Sequence, residues 1–110
     1  MGIFVVNKGE DGHYYVTLKV KGGRIMLNSL KHFSKSSCRD GIETIRAHAS
    51  DNLKYEYKKT FDGKFYFRLK SINGEILGSS KLYETAENRN IGIETVRRIA
   101  PLACVIDIAS

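Results

Sequence analysis

Hydrophobic and polar residues alternate with period two over residues 13–20. Tyr14, Val16, Leu18 and Val20 fall on one side, and His13, Tyr15, Thr17 and Lys19 on the other. Such alternation predicts a strand with one buried face. Before it, Ile3, Phe4, Val5 and Val6 predict a strand over 3–8, because β-branched and aromatic residues suit a pleated surface. After it comes Gly22-Gly23, then a third strand over 24–28. Asp11-Gly12 and Gly22-Gly23 stand where hairpins must turn, and type I′ turns need positive φ at their central residues. The period then changes. Cys38, Ile42, Ile45 and Ala49 stand at i, i+4, i+7 and i+11, one face of a helix that Ser34 can open by capping free backbone N–H groups.

This pattern is written twice. Phe4 to Ala49 align with Tyr55 to Ala100 at a constant offset of 51, without a gap. Asp11-Gly12 returns as Asp62-Gly63, Tyr15 as Tyr66, Leu18-Lys19 as Leu69-Lys70, and Ser29 as Ser80. Gly41-Ile42-Glu43-Thr44 returns as Gly92-Ile93-Glu94-Thr95. Thr85 takes the capping place of Ser34, Ile93, Val96 and Ala100 repeat the helix face, and Pro101 ends the second helix. Two copies predict a pseudo-twofold pair in which each half covers the other's apolar face. The first strand also recurs after each helix: Phe4 and Val6 match Tyr55 and Tyr57, which in turn match Ile106 and Ile108. The chain therefore reads β-(ββαβ)-(ββαβ), with repeats 1–51 and 52–110 in one domain, 1–110. A right-handed crossover from each helix puts both helices on one face. Gly41 and Gly92 each cost a helix about 1 kcal/mol relative to Ala. That cost, met twice at one position, points to close packing against another helix or an aromatic of the sheet.

Composition narrows the classes. At 110 residues, 42% hydrophobic and 27% charged, the chain fits one globular unit with a modest core. It has no apolar run of about 18 residues and no basic, cleavable leader, so we expect a cytoplasmic protein with no membrane association. Cys38 and Cys104 are far apart and make no metal spacing, which predicts two buried thiols in a reducing compartment. The net charge of +6 divides as +3 in each half, with no basic tail.

The set of motifs resembles the YegP-like family, small bacterial tandem-repeat proteins of unknown function. The resemblance rests on Asp11-Gly12-His13-Tyr14-Tyr15-Val16 and Asp62-Gly63-Lys64-Phe65-Tyr66-Phe67, the Leu-Lys and Gly-Gly or Asn-Gly turns, Ser80 before Tyr83, and the Gly-Ile-Glu-Thr helices. Copy one departs from it, with His32 in the place of Tyr83 and Phe33 one residue later. The resemblance implies an α+β fold: one mainly antiparallel sheet shared by two pseudo-twofold-related ββαβ repeats, two helices on one face, and exchanged C-terminal strands. It implies no catalytic residue.

Helices on one face leave the other face of the sheet open. There the second strand of each copy presents Tyr15 and Lys19, and Lys64, Tyr66, Arg68 and Lys70. Aromatics interleaved with cations are how several sheet modules stack bases and hold phosphates, so these six residues form the candidate polyanion-binding face. A solvated strand face, or one covered by another subunit, has the same composition. Glu94 with Arg98 (i, i+4) and Glu43 with Arg46 (i, i+3) suit an exposed helix. His13, His32 and His48 have no histidine counterpart in copy two, and no phosphate loop, metal motif or nucleophile elbow is present. We expect no polar-lined pocket, no catalytic residues, no metal and no cofactor. The reading is an uncharacterised, non-enzymatic binding or interaction module, with a nucleic acid or a protein as partner. An unrecognised enzyme is the alternative. A monomer is expected, and the apolar end strands would make a homodimer if their edges were left unpaired.

Overall fold

The computed structural model describes residues 1–109. Its elements run β1 (Gly2–Lys8), β2 (Tyr14–Val20), β3 (Ile25–Asn28), α1 (Lys35–His48), β4 (Tyr55–Lys59), β5 (Phe65–Lys70), β6 (Ile76–Ser79), α2 (Ala86–Ile99) and β7 (Cys104–Asp107). A 3-10 turn, Asn52–Lys54, precedes β4, and Ala100–Leu102 forms another before β7, with Pro101 inside it. The strands make one sheet in the order β4-β5-β6-β3-β2-β1-β7. All neighbours are antiparallel except β1 and β7, which run parallel.

The order exposes the symmetry. β6 meets β3 through Asn28 and Ser79, which are counterparts at offset 51, so the local dyad passes between them. The C-terminal strand of each repeat crosses to the other half. β4 follows α1 yet pairs with β5, and β7 follows α2 yet pairs with β1.

The hairpins turn at the expected glycines, with φ of +82° at Gly12 and +91° at Gly63, but Asp11 and Asp62 have negative φ, so these turns are not type I′: Gly12 N donates to the Gly9 carbonyl in a longer loop with one positive-φ residue. Beyond each hairpin, Ser29 and Ser80 tie strands together. Ser29 Oγ accepts from Val16 N at 3.0 Å and donates to the Leu30 carbonyl, and Ser80 Oγ does the same for Phe67 N and the Lys81 carbonyl. Ser34 and Thr85 cap the helices by accepting from the N–H groups of Ser37 and Asn88, each at 3.0 Å. Such caps contribute about 1 kcal/mol each.

The core lies between the sheet and the two helices. It holds Phe4, Val6, Val16, Leu18, Phe67 and Leu69 from the strands, and Cys38, Ile42, Ile45, Ile93 and Val96 from the helices. The helix glycines pack on aromatics. A Cβ on Gly92 would meet the Tyr83 hydroxyl and lie 2.8 Å from Tyr83 Cζ, and one on Gly41 would lie 3.0 Å from His32 Cε1. His32 does occupy the place of Tyr83: it bridges Tyr14 as Tyr83 bridges Phe65. Phe33 points outward and meets the His13 ring edge-on at 4.9 Å.

Several expectations are corrected. Cys38 is buried but Cys104 is exposed, because β7 is an edge strand and Cys104 lies on its helix-free side. Glu94 pairs with Arg97 at 2.8 Å rather than with Arg98, matching the i, i+3 pair of Glu43 and Arg46 in the first helix. Thr17 sits on the open face yet is buried, shaded by its cross-strand neighbours Val5 and Asn28.

Candidate functional site

The open face is graded from one edge to the other. Lys64, Tyr66, Arg68 and Lys70 share one side of β5, and the ladder sets Glu56 beside Arg68 and Lys58 beside Tyr66 from β4. Tyr15 and Lys19 lie on β2, across β6 and β3. That is three strand spacings, about 14 Å. The six residues therefore share a face but form two groups. Beyond β2 the face becomes apolar, with Ile3 and Val5 on β1 and Ile106 on β7.

Carboxylates already hold half of the charge. Lys64 Nζ donates to both oxygens of Glu84, which pushes the lysine pKa up. Lys70 Nζ lies 2.9 Å from Glu56, whose pKa that hydrogen bond lowers. Tyr15 donates its hydroxyl to Asp11 at 2.7 Å. Asp11 also accepts from the His13 N–H, and its pKa falls to about 2, while the tyrosine's rises. Arg68 instead lies over the Tyr66 ring, 5.7 Å from its centroid. Among the described residues, Arg68, Lys19 and Lys58 have no carboxylate partner.

Glu56 and Glu84 were not anticipated from the sequence as partners of this face. Glu56 was legible: the hairpin at Asp62-Gly63 fixes the β4–β5 register, and alternation then puts Glu56 beside Arg68. Glu84 follows β6 in a non-alternating segment and gave no such signal.

The other side of the molecule has two open clefts related by the dyad. Each lies between the glycine turn of one repeat's helix and the β-hairpin of the other repeat. Around Gly41 the cleft is about 570 Å³ and takes in His32, Asp40, His48, Ser71 and Glu75. Around Gly92 it is about 290 Å³, with Arg24 in the place of Glu75 and Tyr83 in the place of His32. The smaller imidazole leaves the larger cleft. His32 Nδ1 is 2.7 Å from Ser37 Oγ, and burial lowers the imidazole pKa. No carboxylate is hydrogen-bonded to the ring among the described residues, so the pair lacks the third group that orients a catalytic base. His48 Nδ1 is bound to the Thr44 carbonyl of its own helix at 2.8 Å.

Comparison with known proteins follows this architecture. The family described as "Domain of unknown function (DUF1508)" matches residues 10–56 and 62–107, each a ββαβ unit. The UPF0339 protein YegP of Escherichia coli is 38% identical over 96 residues, 87% of each chain. A UPF0339 protein of Pseudomonas aeruginosa is 35% identical over 104 residues, 94% of each. The solution NMR structure of E. coli YegP, a protein of unknown function, superposes with a TM-score of 0.93 at 36% identity, covering 99% of this chain and 94% of that one. A UPF0339 protein of Shewanella oneidensis, also solved by NMR, gives 0.92 at 26% identity, with 98% and 92% covered. Two matched repeats, relatives spanning most of the chain and the shared seven-stranded sheet together place this chain in the UPF0339 (DUF1508) family of YegP-like proteins, whose function is unknown.

Proposed function

We propose that the chain is a non-catalytic cytoplasmic binding module that holds single-stranded nucleic acid weakly on the β4–β5 part of its open face. The observation carrying this reading is Arg68: a guanidinium over the Tyr66 ring with no ion-pair partner among the described residues, its cross-strand neighbour Glu56 being held by Lys70 and Lys58 standing opposite Tyr66, on a sheet face that no helix covers. A base stacks on such a platform and its phosphates lie near the cations. The ion pairs of Lys64 and Lys70 limit the strength. With Lys58 and Arg68 as the cations of the β4–β5 part not held by a carboxylate, a single strand releases few counterions. The slope of log affinity against log salt should be about −1.4, taking about −0.7 per phosphate neutralised. The free thiols Cys38 and Cys104 suit a reducing compartment. The His32–Ser37 pair without an orienting carboxylate supports the non-catalytic part.

A gel shift with mixed-sequence single strands at about 50 mM salt tests the reading. Retardation should disappear in Arg68→Ala and persist in Arg98→Ala, which removes an exposed cation from the helix side. No retardation of the unmodified protein, or equal retardation by Arg68→Ala, overturns it.

A further inference from the structure

The dyad maps β1 onto β4, but their outer edges differ. β7 lies along β1 in parallel, from Ile3 beside Cys104 to Val6 beside Asp107, and Ile108 N donates to the Val6 carbonyl at 2.9 Å. The matching edge of β4 carries no strand among the described residues. Exposure records the difference: Val6 is 2% exposed and its counterpart Tyr57 is 53% exposed. The Thr60 N–H donates to the Lys64 carbonyl, so alternation along the ladder turns Tyr57 N–H and C=O outward. They are the equivalents of the Val6 groups that β7 uses.

The helix above this edge is dressed for an occupant. In the first half, Arg46 donates to the Ala103 carbonyl at the start of β7. Its counterpart Arg97 binds Glu94, but its Nε is buried with no partner. In the first half, Lys35 holds Asp107 at 3.3 Å, and Val105 borders a shallow recess with Ile42 and Glu43, so alternate β7 residues lie on the α1 side. In the second half, Ala86 replaces Lys35 and Arg89 replaces Cys38. The Arg89 guanidinium lies between the Tyr57 and Phe65 rings, 5.1 and 5.3 Å from their centroids, and donates to the Lys58 carbonyl at 3.1 Å. The cation needed for an acidic side chain has moved one helical turn along and stands over β4, one ring in from the open edge.

We propose that the β4 edge takes an extended peptide as an eighth strand, parallel to Tyr55–Lys59, whose helix-side residues are an apolar one followed two positions later by Asp or Glu. The apolar residue sits where Val105 sits in the other half, against Ile93. The carboxylate meets Arg89. The backbone of the peptide pairs with Tyr57, the usual source of affinity in strand addition. Lys58 and Lys59 on this edge favour an acidic partner over a second copy of the same lysine-rich strand. This site is separate from the open-face reading and stands without it.

The test uses an N-acetylated, C-amidated peptide, Ala-Ser-Val-Ile-Asp-Ile-Ala, the sequence of β7 with serine for its cysteine, titrated into 15N-labelled protein. At about 1 mM peptide, the range of weak strand addition, amide shifts should centre on Tyr57, Lys59 and Arg89, and the Tyr57 amide should gain protection from exchange. A peptide with Lys for Asp should bind at least about tenfold more weakly. Arg89→Glu should reverse that preference, its folding being checked in the same spectra. Tyr57→Pro removes the outward N–H, which an edge strand tolerates, together with the ring under Arg89; it should lose the peptide while keeping the other amides in place, and Tyr57→Ala, which removes the ring alone, should retain it. Absence of shifts, shifts confined to Tyr66 and Arg68, equal binding of both peptides by the unmodified protein, or β4 signals that change with protein concentration alone would each overturn the proposal.

Discussion

Leu27 and Gly78 hold the same position in the two repeats, and the dyad brings them face to face. A Cβ on Gly78 would lie 2.6 Å from Leu27 Cγ and 3.2 Å from the Asn28 carbonyl oxygen. Two leucines would collide there, and two glycines would leave a hole in the core. A homodimer of one repeat would have to accept one fault or the other. The tandem chain instead places a large residue on one side and none on the other. The same freedom appears farther out. His32 and Tyr83 share a position but give clefts of about 570 and 290 Å³, and β1 has an edge partner where β4 has none. The difference teaches that duplication supplied the frame and that function is to be sought where the copies diverge.

The largest expected effect lies at the dyad. Gly78→Leu should cost about 3 kcal/mol or more, since the clash includes backbone and cannot be relieved by rotating Leu27 alone. Leu27→Gly should cost about 3–5 kcal/mol, because Leu27 is 2% exposed and its removal opens a cavity. The exchanged pair, Leu27→Gly with Gly78→Leu, restores the volume from the opposite side. Its loss of unfolding free energy in urea should be well below the sum of the two single losses. Strict additivity of the three unfolding free energies would show that the two positions do not share one space.

A smaller effect separates the two helix glycines. Gly92→Ala gains up to about 1 kcal/mol of helix propensity but drives a methyl into Tyr83, with Phe67 Cε2 also 3.2 Å away. The net result should be a loss of about 1–3 kcal/mol. Gly41→Ala meets only an imidazole edge that borders the larger cleft and has room to turn. It should be neutral or stabilising by up to about 1 kcal/mol. Combining Gly92→Ala with Tyr83→His should recover stability relative to Gly92→Ala alone. Equal losses at the two glycines in thermal or urea unfolding would mean that the aromatic position does not set the helix height.

Most of this frame was legible in the sequence, for a physical reason. The strand and helix periods, the caps at Ser34 and Thr85 and the hairpin glycines are local signals, and each was duplicated at a fixed offset. The direct partners of Lys64 and Lys70 were harder, because ion pairs between strands need the register as well as the pattern. Cys104 was misread because apolar composition does not distinguish a core strand from a strand that completes an edge. The clefts were missed because each is built by a helix of one repeat and a hairpin of the other, and a repeat-by-repeat reading never places those residues together. The unpaired β4 edge is likewise a property of strand order, not of any segment.

The smallest effect concerns pH, and it isolates His32 from Tyr83. Burial holds the folded-state pKa of His32 below its ordinary value of 6.5. The neutral imidazole is therefore favoured in the fold, and its contribution is fully present above about pH 6.5. As pH falls below that value the unfolded chain takes up the proton first, and stability declines until the lowered folded-state pKa is passed. His32→Tyr, which copies the second repeat, removes this titration. Measured between about pH 5 and 7.5, the unfolding free energy of the unmodified protein should rise more steeply than that of the variant. Carboxylates such as Asp11, with its pKa near 2, titrate in both proteins and cancel in the difference. Parallel profiles would mean that the imidazole meets water in the cleft as freely as it does in the unfolded chain. The functional distinction between the two clefts would then reduce to their size.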